Sequence, residues 1–424
     1  MSENFLPTES YKGVRDFYPE DMAIARYIFD TWSKTAESFG FARYDASILE
    51  PSTLYRAKGA QNEELVNEQT YTFTDRGERE VTLRPEMTPT VARMVAGRSR
   101  ELSFPLRWYS IPNLFRYERP QRGRLREHWQ LNCDIFGADH FTADVEIIAL
   151  AHQLLLDFGA TSSMFEIRIN DRKEMHEIFN GFGILDSETQ NQIIRLNDRF
   201  HKVTQAEYEV ELQKLISAEA VKKVVALVNS QDEGNESLVV NGLKALGINN
   251  VKIDRSLARG FNYYTGTIFE IFDKHPDGSS RSMLGGGRYD NLTSMFASEK
   301  ISGIGFGMGD VTMRDFLQTH NLLPVAVTTT SPTLMILPLD TEQNLEGQKI
   351  ASQFRQNGIK VAVNIGTRKI GKKISQAAEA GVLYTLVVGP DEILSSTFAL
   401  KNLALGTTET GTLDSLLNYL LAHS

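Results

Sequence analysis

Five arginines fall within eleven positions, from Arg116 to Arg126, inside the stretch FRYERPQRGRLREHWQLNCDIFG that runs from Phe115 to Gly137. Like charges at that density repel one another, and a guanidinium's planar fork suits phosphate oxygens, so the crowding points to a polyphosphate ligand. Immediately downstream, Gln130, Asn132 and Asp134 occupy every second position. Alternate side chains of a strand share a face, so these three make one polar wall while Leu131, Cys133 and Ile135 make an apolar one. Pairing NLFRYE with WQLNCDIFG as a hairpin adds Arg116 and Glu118 to the polar wall. Cations, a carboxylate and amides on one surface suit phosphate chemistry on a second, polar substrate. No Ser/His/Asp or Cys/His nucleophile arrangement is evident, the eight histidines are scattered, and no zinc-type cluster occurs.

The elements that must hold this wall are legible in outline. A chain of 424 residues predicts two or three domains, and 41% hydrophobic with 23% charged residues is a folded, soluble composition. No apolar run is long enough to span a bilayer, the opening MSENFLPTES has no basic-then-apolar leader, and Cys133 stands alone; cytoplasm is the expectation. A net charge of -9 argues against broad, nonspecific nucleic-acid binding but leaves room for a local basic patch. Met22, Ile24, Ile28, Phe29, Trp32 and Ala36 recur at helical spacing and stop at Gly40. YTFTDRGEREVTL (71–83) predicts a hairpin, and ADVEIIALAHQLLLDFG a helix closed by Gly159.

Domain boundaries follow from changes of pattern. Residues 1–170 are expected to form the first part of a core, 171–246 a helical insertion and 247–324 the second part of that core. A Pro/Thr-rich linker, LLPVAVTTTSPT, precedes a domain at 331–424 in which strands and helices alternate as β-α-β-α-β, predicting a parallel-type α/β fold. That domain balances eight Lys/Arg against eight Asp/Glu, with its cations clustered in RKIGKK, Arg368 to Lys373.

The arginine-rich hairpin resembles motif 2 of class II aminoacyl-tRNA synthetases, and the chain as a whole resembles the histidyl branch of that family. LARGFNYYTGTIFE (257–270) is similar to the branch's own signature, LRPEMTPTVAR (83–93) to its substrate-binding stretch and GVRDFYPED (13–21) to its N-terminal segment, and LGGGRYDN (284–291) also matches the family. The resemblance implies an α+β fold, a class II antiparallel sheet with flanking helices, joined to a helical insertion and a C-terminal α/β anticodon-binding domain. It implies a homodimer that converts histidine and ATP, with Mg2+, into histidyl-adenylate and then charges tRNA(His). By the same resemblance Arg116 and Arg259 are the catalytic cations on the α-phosphate. Glu118 and Arg124 complete ATP binding. Glu86, Thr88, Gln130, Asp134, Tyr263 and Tyr264 bind histidine, with Asp134 and Tyr264 on the imidazole. Arg126, Arg368 and Lys372 contact tRNA, and His128 is a loop or tRNA-facing residue.

Three positions depart from the family pattern. In GIGFGMGDVTMRDF the motif 3 arginine for the γ-phosphate is absent, because Asp310, Val311 and Thr312 fill the relevant places; Arg314, Arg288 or a loop arginine would have to substitute. Asn262 stands where aspartate is common, and Asp134 where the longer glutamate is common. A catalytically silent regulatory subunit of histidine biosynthesis is the alternative the missing arginine raises, and a tRNA-binding scaffold a third. Such regulators usually lack the anticodon-type domain and the signature arginine, both of which this chain has.

Overall fold

The structure is a computed structural model that describes residues 6–59, 69–197, 199–200, 203–230, 237–258, 263–278, 282–296, 300–324 and 331–423, with 57–59 in backbone only. It forms two compact units, Met1–Pro324 and Val325–Ser424. Arg259 and Asn262 lie outside the described residues.

Unit one contains, in chain order, β1 Ala42–Arg43, β2 Leu49–Pro51, β3 Tyr71–Thr74, β4 Glu80–Leu83, β5 Leu106–Ser110 and β6 Asn113–Phe115. These are followed by β7 Glu127–Phe136, β8 Phe165–Asp171, β9 Val251–Ile253, β10 Thr267–Asp273, β11 Ser282–Arg288 and β12 Gly303–Gly309. The main sheet runs β1-β5-β7-β12-β11-β10-β8-β9, with β6 beside β7. Its interior pairs are antiparallel; only the outer β1–β5 and β8–β9 pairs are parallel. β2, β4 and β3 make a small second sheet, with the expected hairpin between β3 and β4.

One face of the main sheet is sealed by helices. Trp32 on helix Pro19–Ser38 is fully buried and donates its indole N–H to Met308 Sδ on β12 at 3.0 Å. Helix Phe141–Asp157 is apolar almost all round because it is covered from both sides. It packs on β7 and β12 below and on helix Leu238–Ala245 above, where Gly242 lies so close that a Cβ would meet Val145 at 2.6 Å. The wall of Leu131, Cys133 and Ile135 is fully buried, as its alternation predicts. Asn132 and Asp134, on the other face, are buried too: the sheet is covered on both sides here.

Helices between residues 172 and 228 share a core of their own around Phe179, Ile193, Tyr208, Leu212 and Val224. In the second unit a five-stranded sheet of β13 Leu334–Pro338, β14 Val361–Val363, β15 Tyr384–Val388, β16 Phe398–Asn402 and β17 Thr408–Gly411 runs β14-β13-β15-β16-β17. The parallel expectation holds for β13, β14 and β15. β16 and β17 are antiparallel additions, and helix Leu413–His423 closes the chain. The two strands were missed because FALKN is short and TETG has no large apolar residue, too little for a period-two signal.

Candidate active site

The opposite face of the sheet, where helix Thr88–Gly97 packs against Phe136, Tyr264 and Tyr289, carries a slot of about 90 Å³. Its wall includes Glu86, Thr88, Arg116, Gln130, Tyr263 and Tyr264, six sequence-predicted residues from four separate segments. Glycine makes its floor. Gly305 and Gly307 of β12 pair with Gly287 and Gly285 of β11, a side-chain-free lane across two strands. A Cβ on Gly307 would meet Gln130 at 2.7 Å, and one on Gly305 would meet Asp134 at 2.2 Å, so the lane needs glycine at both positions.

Each wall residue has a local reason for its place. Glu86 sits in the turn between β4 and helix Thr88–Gly97 rather than inside the helix, and only 4% of it is exposed. The Arg116 Nε–H donates to the Pro85 carbonyl at 2.8 Å, which fixes the guanidinium beside that turn. Arg116 belongs to an irregular segment, because β6 ends at Phe115; its N–H still bonds Arg126 O at 2.9 Å and keeps the hairpin register. Tyr263 and Tyr264 precede β10 instead of lying on a strand, so they do not alternate, and both face the slot with ring centroids 4.6 Å apart.

Asp134 is placed differently from the expectation. It does not border the slot directly but lies 3% exposed beneath Gly305, where the Tyr289 hydroxyl, itself on the slot wall, donates to Asp134 Oδ1. Its other oxygen, Oδ2, is buried with no hydrogen-bond partner among the described residues. Burial raises the carboxyl pKa to about 7, against the lowering effect of the tyrosine hydrogen bond. The shorter acid thus reaches the slot through Tyr289. Tyr289 and Asn132, which also lines the slot, were missed as site residues. Asn132 was already visible on the polar wall, and Tyr289 follows the GGGR run that forms the floor.

The arginine cluster departs from the electrostatic argument made for it. Arg122 pairs with Asp315 at 3.0 Å and Arg124 with Glu118 at 2.7 Å. Arg126 is 9% exposed, packed over the Tyr117 ring at 4.0 Å, and bonded to Glu118 O, Lys12 O and the Tyr11 hydroxyl. Arg126, expected to face tRNA, is instead enclosed by these partners and pins the N-terminal segment to the hairpin. Internal partners therefore neutralise much of the crowding. His128 is not a loop residue but part of β7, and burial, followed by the charges of Arg116, Arg15 and Arg124, lowers its pKa to about 3.

The motif 3 region offers no obvious substitute cation. Thr312 Oγ1 donates to Gly309 O at 3.0 Å and Met283 O at 3.1 Å. Arg288 lies on the helix-covered face, paired with Asp144 at 2.5 Å, and Arg314 holds Asp21 at 2.7 Å. In the second unit Arg368 and Lys372 are exposed at the start of helix Ile370–Glu379, whereas Lys373 is buried and donates to Pro338 O at 2.7 Å.

A largely antiparallel sheet with one face sealed by helices, a glycine-floored slot beside an arginine hairpin on the other, and a separate mixed α/β unit define a class II aminoacyl-tRNA synthetase. A histidyl-tRNA synthetase family profile matches residues 13–309, and an anticodon binding domain profile matches 333–423. The chain is 44% identical over 421 residues to a histidine--tRNA ligase of Leptospira biflexa, covering 95% of each. It is 39% identical over 433 residues to one from Thermoplasma volcanium, covering 98% of this chain and 99% of that one. Among solved structures, a histidyl-tRNA synthetase from Nostoc sp. PCC 7120 shares the fold with a TM-score of 0.80, at 24% identity over 99% of this chain and all of that one. This chain belongs to the histidyl-tRNA synthetase family.

Proposed function

We propose that the chain activates L-histidine with ATP and transfers it to tRNA(His). In the first step a histidine carboxylate oxygen attacks the α-phosphorus, the bond to the bridging oxygen breaks, and pyrophosphate leaves. In the second a ribose hydroxyl at the tRNA terminus attacks the activated carbonyl and releases AMP. The observation that carries this reading is the meeting of Glu86, Thr88, Arg116, Gln130, Tyr263 and Tyr264 on one slot. Glu86, Thr88 and Gln130 suit the α-ammonium, as acceptors aimed at a donor. Tyr264 and the Tyr289–Asp134 pair suit the two imidazole nitrogens, which need a hydrogen-bond partner each.

Arg116 would supply positive charge where the non-bridging phosphate oxygens gain negative charge, already oriented by Pro85 O. Arg259 is proposed as its counterpart, from the signature alone. Glu118 and Arg124 remain the ATP pair, now as partners of each other that a nucleotide would separate or bridge. ATP would come as its Mg2+ complex. That ion favours phosphate oxygens over a full protein cage.

For tRNA, Arg368 and Lys372 stand at a helix N-terminus with no acidic residue in its first turn. Their charges add to the helix dipole rather than cancel it, favouring phosphate there. A homodimer in the cytoplasm completes the proposal. Among the described residues no helix is long and apolar enough to cross a membrane. The regulatory alternative is not favoured, since full-length relatives carry the ligase name. A structural neighbour from Bacillus halodurans, described as an ATP phosphoribosyltransferase regulatory subunit/histidyl-tRNA synthetase, is 22% identical with a TM-score of 0.70 and bears on the fold alone.

Aminoacylation of tRNA with labelled histidine tests the reading. ATP-dependent charging of tRNA(His) supports it; a folded protein that binds histidine yet charges no tRNA refutes it.

A further inference from the structure

Arg15 lies in the GVRDFYPED segment, to which no site role has been given, yet it is built into the edge of the site. Its segment lies as a strap across the arginine hairpin, held by the Arg126 N–H to Gly13 O bond at 2.7 Å. Arg15 Nη2 reaches Asp310 Oδ2 at 2.6 Å, and Asp310 Oδ1 accepts the Trp129 N–H at 2.9 Å. Trp129 is followed by Gln130 of the slot wall, which pairs with Gly309 just before Asp310. The guanidinium is packed 4.9 Å over the Phe17 ring, whose edge meets Trp129 at 5.2 Å. Its Nε is buried without a hydrogen-bond partner among the described residues, although the side chain as a whole is 21% exposed.

Arg15, Arg116 and Arg124 are all near enough to His128 to act on its charge. Of these three, Arg15 and Arg124 are balanced by Asp310 and Glu118, carboxylates with which a nucleotide bound with its α-phosphate at Arg116 would compete as it extended its anionic tail. Asp310 is a poor permanent partner for Arg15: burial opposes its ionised form and raises its pKa despite the arginine.

We propose that Arg15 binds the pyrophosphate end of ATP, exchanging Asp310 for phosphate oxygens, and so supplies the cation absent at Thr312. The inference rests on the proposed ATP-dependent activation. Arg15 then acts as a substrate-binding residue contributed by the N-terminal strap, and Asp310 holds its guanidinium in place until the nucleotide arrives.

Removing Arg15 alone would strand a buried carboxylate, so the main test removes the pair together, in an Arg15→Met/Asp310→Asn double variant. Titration calorimetry with Mg2+-ATP, which needs no turnover, should show about 10- to 100-fold weaker binding, the scale of one lost charge-assisted contact. Calorimetry with L-histidine should be unchanged within about twofold, a shift under about 0.4 kcal/mol. Asp310→Asn alone, which frees Arg15, should bind Mg2+-ATP more tightly than the parent protein. The inference is overturned if the double variant binds Mg2+-ATP as the parent does. It is equally overturned if Asp310→Asn loses ATP affinity along with thermal stability, the mark of a structural ion pair. Should the unmodified protein bind Mg2+-ATP but catalyse no histidine-dependent reaction, the activation reading fails, while the calorimetric result still decides the role of Arg15.

Discussion

Asp134 concentrates the residue-scale consequences of the account. Its folded carboxyl keeps a proton up to about pH 7, whereas an unfolded one releases it near 3.8. The native state therefore holds the extra proton between those values, so this group's contribution to stability is present below about pH 4 and is lost as pH rises to about 7. Asp134→Asn should remove that slope: the variant's melting temperature relative to the parent should climb from pH 4 to 7 and level off above. A flat difference would show Asp134 to be ionised throughout. Tyr289→Phe removes the hydroxyl that links Asp134 to the slot. The Michaelis constant for histidine should rise about tenfold, the order of one buried hydrogen bond, with the constant for ATP little changed. Equal changes in both would place Tyr289 outside imidazole recognition. At Arg116, replacement by Gln should lower the activation rate by about 10²–10³ while leaving histidine affinity near its parent value.

The glycine lane makes the same argument for elements. Strands β11 and β12 present Gly285, Gly305 and Gly307 to the slot, where side chains at Gly305 and Gly307 would collide with Asp134 and Gln130. Gly307→Ala would push its Cβ against Gln130, a side chain that can move, so stability should fall by only about 1 kcal/mol. The displaced amide should still raise the Michaelis constant for histidine about tenfold. A variant with parent-like kinetics would show that the lane does not shape the site. This lane also marks how far the sequence could be read. Alternation alone placed Gln130, Asn132 and Asp134 on one wall, and the hairpin register brought Arg116 to it. Tyr263 and Tyr264 sit among residues of extended type, yet β10 begins only at Thr267. Charge partners were not legible at all: the distance from Arg122 to Asp315, or from Arg15 to Asp310, depends on how far-apart segments fold together. That is why five crowded arginines suggested a ligand when tyrosine rings, a carbonyl and carboxylates take up four of them.

On the scale of the whole molecule, the proposed function divides chemistry and tRNA selection between the two units. Charge reversal at Arg368 or Lys372 to Glu should weaken tRNA(His) charging and reduce its salt dependence, because fewer phosphates are neutralised. Adenylate formation should be untouched. Parallel loss in both assays would contradict that division. Lys373 serves as the internal control for surface charge, since it is buried against Pro338 O and its replacement should cost stability instead.

The most direct test of the central claim is amino-acid-dependent exchange of labelled pyrophosphate into ATP by the purified chain. The account predicts exchange with L-histidine and none with phenylalanine or glutamine, whose side chains cannot satisfy both buried partners at the slot. Absence of exchange with histidine, or equal exchange with phenylalanine, would contradict it.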